Sequence, residues 1–266
     1  SEMCIRDRLV AMMNSMVDSG LANYPHPAIQ LQYMEICVRY YQFFEQNPSL
    51  IPKVLENFVN LTHSNHVKVR SRSWYLFQRL VKHLRAQLGN VSYDIIQAVA
   101  DLLTIKAELP DTSEDEMSSD EEDQSADALF NSQLFLFEAV GCIASSSTVS
   151  IENKKLYAQT IMSPLFTDME QTLPQARNGD ERAVLQIHHI IMALGTLARG
   201  YSDWVPSNSN SAVPHSEVAD EFVKASEAIL VAVDSLNSSG SIRHAARFAF
   251  SRMIAVLGSR LLQQLP

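Results

Sequence analysis

Residues His63 to Leu88 dictate a helix with two distinct faces. At the 100° per residue of an α-helix, one arc of side chains is apolar and the opposite arc is cationic. The apolar arc contains Val69, Trp74, Leu76, Phe77, Leu80, Val81, Leu84 and Leu88. The cationic arc contains Lys68, Arg72, Arg79, Lys82 and His83. The stretch therefore predicts a long helix that buries one face in a core and presents positive charge on the other.

The rest of the chain follows the same helical period. Apolar residues three and four positions apart recur along most of the 266 residues, and there are only 8 glycines. Turn residues such as Gly20 and Asn47–Pro48 separate the helical segments. One continuous helix is expected from Ala28 to Glu45, and a kink or break is expected at Pro164 and Pro174. These patterns predict an all-α fold of about ten helices.

The predicted helices group into about five antiparallel pairs, and pairs of roughly 40–47 residues are typical of HEAT repeats. The helices predicted to be second in their pairs begin after a polar turn and carry an early Lys or Arg: Lys68, Arg70, Arg182, Arg243 and Arg247. The helix near Gln133 lacks this signature. We expect a HEAT-repeat α-solenoid, and a non-repetitive helical bundle is the alternative. The residues expected in its core include Trp74, Phe77, Leu80, Val81, Phe135 and Phe250.

The pattern divides the chain into four parts. Residues 1–8 do not continue the periodicity that begins at Leu9, and they are expected to be frayed or foreign to the natural protein. Residues 9–107 and 131–266 are predicted to form the helix pairs. Residues 108–130 are predicted to be a long acidic disordered insertion, because the segment has high charge and few large apolar side chains.

The net charge of −9 arises within that insertion. Residues Asp111 to Asp127 contain nine of the 30 acidic residues and no Lys or Arg, so the other 21 acids balance the 21 basic residues. The insertion is either a tolerated solvated loop or an electrostatic element that contacts a basic partner or competes with an anionic ligand. Its candidate regulatory residues are Asp111, Glu114, Asp115, Glu116, Asp120, Glu121, Glu122 and Asp123. Ser118 and Ser119 precede acidic residues and are candidate phosphorylation sites.

Sequence patterns for catalysis do not occur. There is no Gly-rich phosphate loop, GxSxG, HExxH or paired CxxC. His188 and His189 are adjacent, so on a helix they point about 100° apart and cannot face one metal ion. Cys4, Cys37 and Cys142 lack metal-binding spacing. Cys37 and Cys142 lie in apolar helical surroundings and are expected to be reduced, buried thiols of a cytosolic or nuclear protein. We expect no enzyme activity, no cofactor, no metal site and no membrane insertion.

The cationic arc allows two interpretations. Charges opposite an apolar face occur on any solvated helix, but such faces usually mix signs, and here no acid lies between residues 64 and 93. Arg can bind phosphate oxygens through two parallel hydrogen bonds, and Lys adds charge beside it. No RRM-type or KH-type motif that would read bases occurs. We therefore favour contact with the phosphates of an anionic partner, with Lys68, Arg72, Arg79, Lys82 and His83 as candidates.

Three blocks of the sequence closely resemble the exportin-T family, the tRNA-export karyopherins. They are NSMVDSG…YPHP (Asn14–Pro27), KVRSRSWYLFQRLVKHL (Lys68–Leu84) and SQLFLFEAVGCI (Ser132–Ile143), in the family's order and spacing. The resemblance covers Leu9 to Pro266 and is to fungal members. It implies HEAT repeats and a receptor that binds tRNA together with Ran-GTP in the nucleus. It also implies passage through the pore by contact with nuclear pore proteins and release of both ligands after GTP hydrolysis.

Members of that family are several times longer than this chain, so the resemblance implies an internal segment from the middle of the solenoid. It implies a monomeric carrier that shuttles between nucleus and cytoplasm. The rival interpretation is a HEAT-repeat protein–protein scaffold without RNA binding. A continuous positive track on one face would favour RNA, whereas a neutral or apolar groove would favour a protein partner.

Overall fold

A computed structural model of the chain describes residues 2–109, 126–202 and 216–263. Within these ranges the regular structure is helical and contains no β-strand, so the all-α prediction is confirmed. The candidate acidic residues from Asp111 to Asp123 lie outside the described residues. So do the candidate phosphorylation sites Ser118 and Ser119.

The described part of the chain contains eleven α-helices. They are α1 (Glu2–Asp18), α2 (Pro27–Arg39), α3 (Tyr41–Gln46), α4 (Ile51–Thr62), α5 (Val67–Leu84), α6 (Ser92–Val99), α7 (Ala126–Ala144), α8 (Ile151–Arg177), α9 (Glu181–Ser202), α10 (Ser216–Ser235) and α11 (Gly240–Leu257). The cationic helix predicted from the sequence is α5.

The helices form two layers that alternate along the chain. In the second-helix layer, α2, α5, α7, α9 and α11 each contact the next. In the first-helix layer, α4, α6, α8 and α10 each pack against the helix that follows in sequence. Helix α1 joins the stack through the turn Leu21–Asn23, which contacts both α1 and α2. Five helix pairs stacked in chain order confirm the HEAT-type solenoid.

The helices of the second-helix layer run in the same direction. Between α5 and α7, Tyr75 contacts Phe135, and further along both helices Lys82 contacts Glu138. The contacts between α7 and α9 advance in the same order. Because the helices are parallel, their C-terminal ends lie along one edge of the layer and their N-terminal ends along the other.

The early arginines of the second helices bind loop carbonyls. Arg70 and Arg243 each donate to a backbone carbonyl in the turn that precedes their own helix. Arg182 donates through Nε to the carbonyl oxygen of Ala107 at 2.9 Å. These bonds tie the start of a helix to the loop beside it, so Arg70, Arg182 and Arg243 have a structural role.

The apolar arc of α5 is buried as predicted, including Trp74, Phe77, Leu80 and Val81. Phe135 and Phe250 are only half-buried, so the prediction that they are buried is wrong, although Phe250 packs against the edge of the core. Phe135 lies at the surface between two second helices and packs edge-on against Tyr75, with ring centroids 5.1 Å apart. The apolar pattern of α7 alone cannot distinguish such a partly exposed position between helices from a buried core position.

Two helix boundaries differ from those expected. Helix α1 begins at Glu2 and so includes residues 2–8, which the sequence pattern placed outside it. Helix α7 begins at Ala126 rather than near residue 131. Its first turns are held by Phe130, which is buried and stacks on His189 with ring centroids 3.6 Å apart.

The continuity of two helices also differs from the prediction. The expected helix from Ala28 to Glu45 is divided at Tyr40, whose backbone leaves the helical conformation (φ −106°, ψ 33°). The break turns Phe43 and Phe44 into the core, where both are buried. Conversely, α8 runs from Ile151 to Arg177 as one helix with both prolines inside it.

Close packing brings α7 and α9 together at two glycines. A Cβ atom on Gly200 would lie 2.5 Å from the carbonyl oxygen of Glu138 and 2.8 Å from the Cα of Gly141. Contacts this short are not possible between real side chains and backbone, so only glycine permits this separation. The approach places the last turn of α9 beside the last two turns of α7.

Candidate nucleic-acid interface

Helix α5 places the predicted cationic arc on its solvent side. Lys68, Arg72, Arg79 and Lys82 are exposed, and His83 is half-exposed. The opposite, apolar side of the helix is buried in the core between the two layers. The two-faced pattern therefore positions these side chains as expected, but their surroundings differ from one to the next.

Arg72 is held by α2 in an ion pair. Its Nη2 lies 2.6 Å from Oε1 of Glu35, and its Nε donates to the same oxygen at 3.2 Å. The guanidinium also lies 4.8 Å from the centroid of the Tyr75 ring. Because Glu35 neutralises this guanidinium, Arg72 offers less charge to a ligand than the sequence indicates.

His83 is stacked rather than presented as a charge. Its ring lies parallel to that of Tyr41, with centroids 3.8 Å apart. Burial and then the positive charge of Arg79 lower the pKa of His83, Lys82 acts in the same direction, and Glu45 opposes them. The ring is therefore mainly neutral at pH 7 and does not fit the role of a phosphate-binding cation that the sequence suggested.

Lys82 belongs to a cluster that spans three helices. Its Nζ lies 3.2 Å from Oε1 of Glu138 on α7, and Nε of Arg199 on α9 lies 3.5 Å from the same oxygen. The Glu138 side chain is 8% exposed, whereas those of Lys82 and Arg199 are 39% and 50% exposed. The acid lies beneath the surface and the cations lie above it.

The positive surface continues onto α11. Arg252 lies close enough to Arg199 for that charge to lower its pKa, after burial, while Glu138 opposes the shift. Its guanidinium lies 3.3 Å from the centroid of the Phe248 ring, and it remains protonated at neutral pH. We call Arg79, Lys82, Arg199 and Arg252 the cation row. It crosses from α5 over α7 and α9 to α11.

Sequence reasoning missed Glu138, Arg199 and Arg252. A signal for Glu138 was present, because it is the one charged residue in the apolar run Leu134–Ala144. A charged residue inside an apolar helix predicts a buried acid with cationic partners. The two arginines carry no comparable local signal, since their positions in the row depend on how the helices stack.

The adjacent histidines form a packed pair. Nδ1 of His188 lies 3.1 Å from Nδ1 of His189. Burial, and secondarily His188, lowers the pKa of His189 to about 4. Among the described residues no group of three or more His, Cys, Asp or Glu side chains is arranged to hold a metal ion. None of the described helices is long and apolar enough to span a membrane.

Comparisons with known proteins all point to one family. The Exportin-T family model matches residues 2–266. Among curated relatives, Exportin-T of Phaeosphaeria nodorum is 93% identical over 258 residues, which cover 97% of this chain and 25% of the relative. Exportin-T of Neurospora crassa is 59% identical over 263 residues, covering 98% and 26%, and that of Podospora anserina is 58% identical over 262 residues, again covering 98% and 26%. The chain spans about a quarter of the length of these fungal relatives. The chain therefore belongs to the Exportin-T family.

Proposed function

We propose that this chain is the central segment of a nuclear export receptor for tRNA, and that the cation row binds the phosphate backbone of the RNA. The observation that carries the proposal is the arrangement of cations from α5 to α11. Lys82 and Arg199 share the carboxylate of Glu138, and Arg252 lies on α11, which packs directly against α9. Family membership and this track together favour RNA over a purely protein partner.

The chemistry of the row suits phosphates better than bases. Three of its four members are arginines, whose planar guanidinium groups can bind phosphate oxygens through two hydrogen bonds. Phosphate contacts fix the position of a nucleic acid without reading its sequence. A carrier that accepts many tRNAs would need recognition of this kind, based on backbone and shape.

The proposal includes the partners that the family implies. The full-length receptor would bind tRNA and Ran-GTP together as a monomer in the nucleus, contact nuclear pore proteins during passage, and release both ligands in the cytoplasm. The coupling would arise because each ligand favours the same arrangement of the solenoid. The protein acts as a carrier and not as an enzyme.

Neutralising the row tests the proposal. In the full-length protein, Arg79→Gln, Arg199→Gln and Arg252→Gln together should weaken binding of a transcribed tRNA in the presence of Ran-GTP. Removal of each phosphate-binding side chain should reduce the magnitude of the slope of log K against log salt by about 0.7–0.9, so for three side chains we expect a decrease of about 2–3 units. Fluorescence anisotropy at several salt concentrations measures both quantities.

A matched control removes three cations from the first-helix layer. Lys53, Lys155 and Arg177 lie on α4 and α8, and their replacement by Gln changes the net charge equally. The control should bind tRNA nearly as well as the wild type. If both triple variants have the same affinity and slope, the cation row is not the RNA-binding surface, and the protein–protein scaffold becomes the better interpretation of this segment.

A further inference from the structure

Glu138 is placed where it can compete with a phosphate for the cation row. Its Oε1 is the atom that approaches both Lys82 Nζ, at 3.2 Å, and Arg199 Nε, at 3.5 Å. These cations come from the helices on either side of α7, so one carboxylate occupies the gap between them. An incoming phosphate oxygen would need the same donors.

The burial pattern separates this arrangement from an ordinary surface ion pair. An exposed pair shows both charges to solvent, but here the acid is buried and its partners are half-exposed. A ligand therefore meets the cations and not the carboxylate. The backbone of Glu138 packs closely on Gly200 through its carbonyl oxygen, and its side chain is buried, so the carboxylate is held beneath the row.

We propose that Glu138 is a positioning residue that holds Lys82 and Arg199 against the protein and thereby weakens their attraction for RNA phosphates. This inference rests on the proposed function of the cation row. The carboxylate keeps the two side chains in place between binding events, and it provides the partner to which they return when the RNA leaves. It therefore favours a readily reversible complex, as a carrier requires.

Replacement of Glu138 by Gln tests this competition. Glutamine has nearly the same shape but no charge, so Lys82 and Arg199 become available to phosphates. The full-length protein with Ran-GTP should bind a transcribed tRNA about fivefold more tightly at 50 mM salt, which corresponds to about 1 kcal/mol for one additional charge interaction. Each additional phosphate interaction should also make the ratio of variant to wild-type affinity fall about threefold between 50 and 200 mM salt.

Glu221 provides a matched control for net charge. It is a buried glutamate of α10, in the first-helix layer, and its Oε1 lies 3.1 Å from Nζ of Lys224. Glu221→Gln changes the total charge by the same amount but far from the row, so tRNA affinity should stay close to that of the wild type. Equal increases in affinity from both variants would show a non-specific charge effect and overturn the proposal.

A double-mutant cycle tests whether Glu138 acts through Lys82 and Arg199. In a Lys82→Gln/Arg199→Gln background, Glu138→Gln should increase affinity no more than Glu221→Gln does, because the donors are gone. Glu138→Asp keeps the charge but withdraws it by one methylene, and it should give an intermediate increase. This variant also serves if Glu138→Gln proves too unstable, as judged by circular dichroism.

The possible outcomes distinguish this inference from the proposed function. If Glu138→Gln has no effect or weakens binding while the triple neutralisation of the row still weakens it, the competition is refuted and the RNA surface stands. If neither change affects tRNA binding, the proposed function of this surface fails. An increase in affinity that persists in the Lys82→Gln/Arg199→Gln background contradicts the role of Glu138 through these two cations.

Discussion

Replacement of Gly200 by alanine sets two known effects against each other. Within a helix, alanine is more favourable than glycine by about 0.8–1.0 kcal/mol. At this position, however, the new methyl group would meet three backbone atoms of α7 at 2.5, 2.8 and 2.9 Å, where nothing can rotate away. Overpacking of this kind costs about 1–3 kcal/mol and sometimes more. Because three rigid backbone atoms are involved, we expect a steric cost in the upper part of that range, about 2–3 kcal/mol, and therefore a net loss of about 1–2 kcal/mol of stability.

Thermal unfolding followed by circular dichroism measures this loss. In a chain of this size 1 kcal/mol shifts Tm by about 2–4 °C, so Tm should fall by about 3–6 °C. Gly240 is the matched control, because a Cβ there meets only the end of the Arg243 side chain at 3.9 Å. Gly240→Ala should leave Tm unchanged or slightly raised. A Gly200→Ala variant more stable than the wild type would refute the close approach of α7 and α9.

Three further outcomes are expected. Phe77→Ala removes a fully buried ring and should lower the free energy of unfolding by about 3–5 kcal/mol. Tyr93→Ala removes an exposed ring and should lower it little; urea titration measures both. His189 has a folded-state pKa of about 4, lowered by burial and then by His188. The unfolded chain therefore binds more protons between about pH 6.5 and pH 4. The free energy of unfolding should fall as the pH falls through that range. Between pH 7 and pH 5 the urea midpoint of His189→Phe should therefore fall less than that of the wild type. Replacing residues 111–124 by a short Gly/Ser linker should change stability by less than about 1 kcal/mol. It should raise tRNA affinity at 10 mM salt but not at 150 mM; a change of several degrees in Tm would show that the segment docks on the body.

Local periodicity was enough to predict the buried face of α5. Residues three and four positions apart lie on one side of a helix wherever that helix is placed, so Phe77 and Leu80 had to be buried if the segment was helical. The stacking order followed from the alternation of turns and helices. The break at Tyr40 could not be predicted in the same way, because it depends on the packing of α3 on α5.

The cation row could be predicted only in part, because its members are far apart in sequence. Lys82 and Glu138 are separated by 56 residues, and this interval includes the acidic insertion. A fixed repeat length therefore does not align them. Without that alignment, α5 alone carried the predicted positive charge, and Glu35 and Glu138 could not be recognised as the acids that partly neutralise it.

The parallel second helices determine how far the cation row lies from the point where the acidic insertion joins α7. Lys82, Glu138, Arg199 and Arg252 all lie in the last two turns of their helices, at the edge where the helix dipole favours cations. Residues 110–125 connect to the first residue of α7, at the opposite edge. Glu138 follows Ala126 by 12 residues, which is about 18 Å along the helix axis. The Debye length is about 8 Å at 0.15 M salt and about 30 Å at 0.01 M. From its attachment point the segment can therefore act on the row only at low salt, and an effect of its deletion on tRNA affinity at 150 mM would require that it reach across α7.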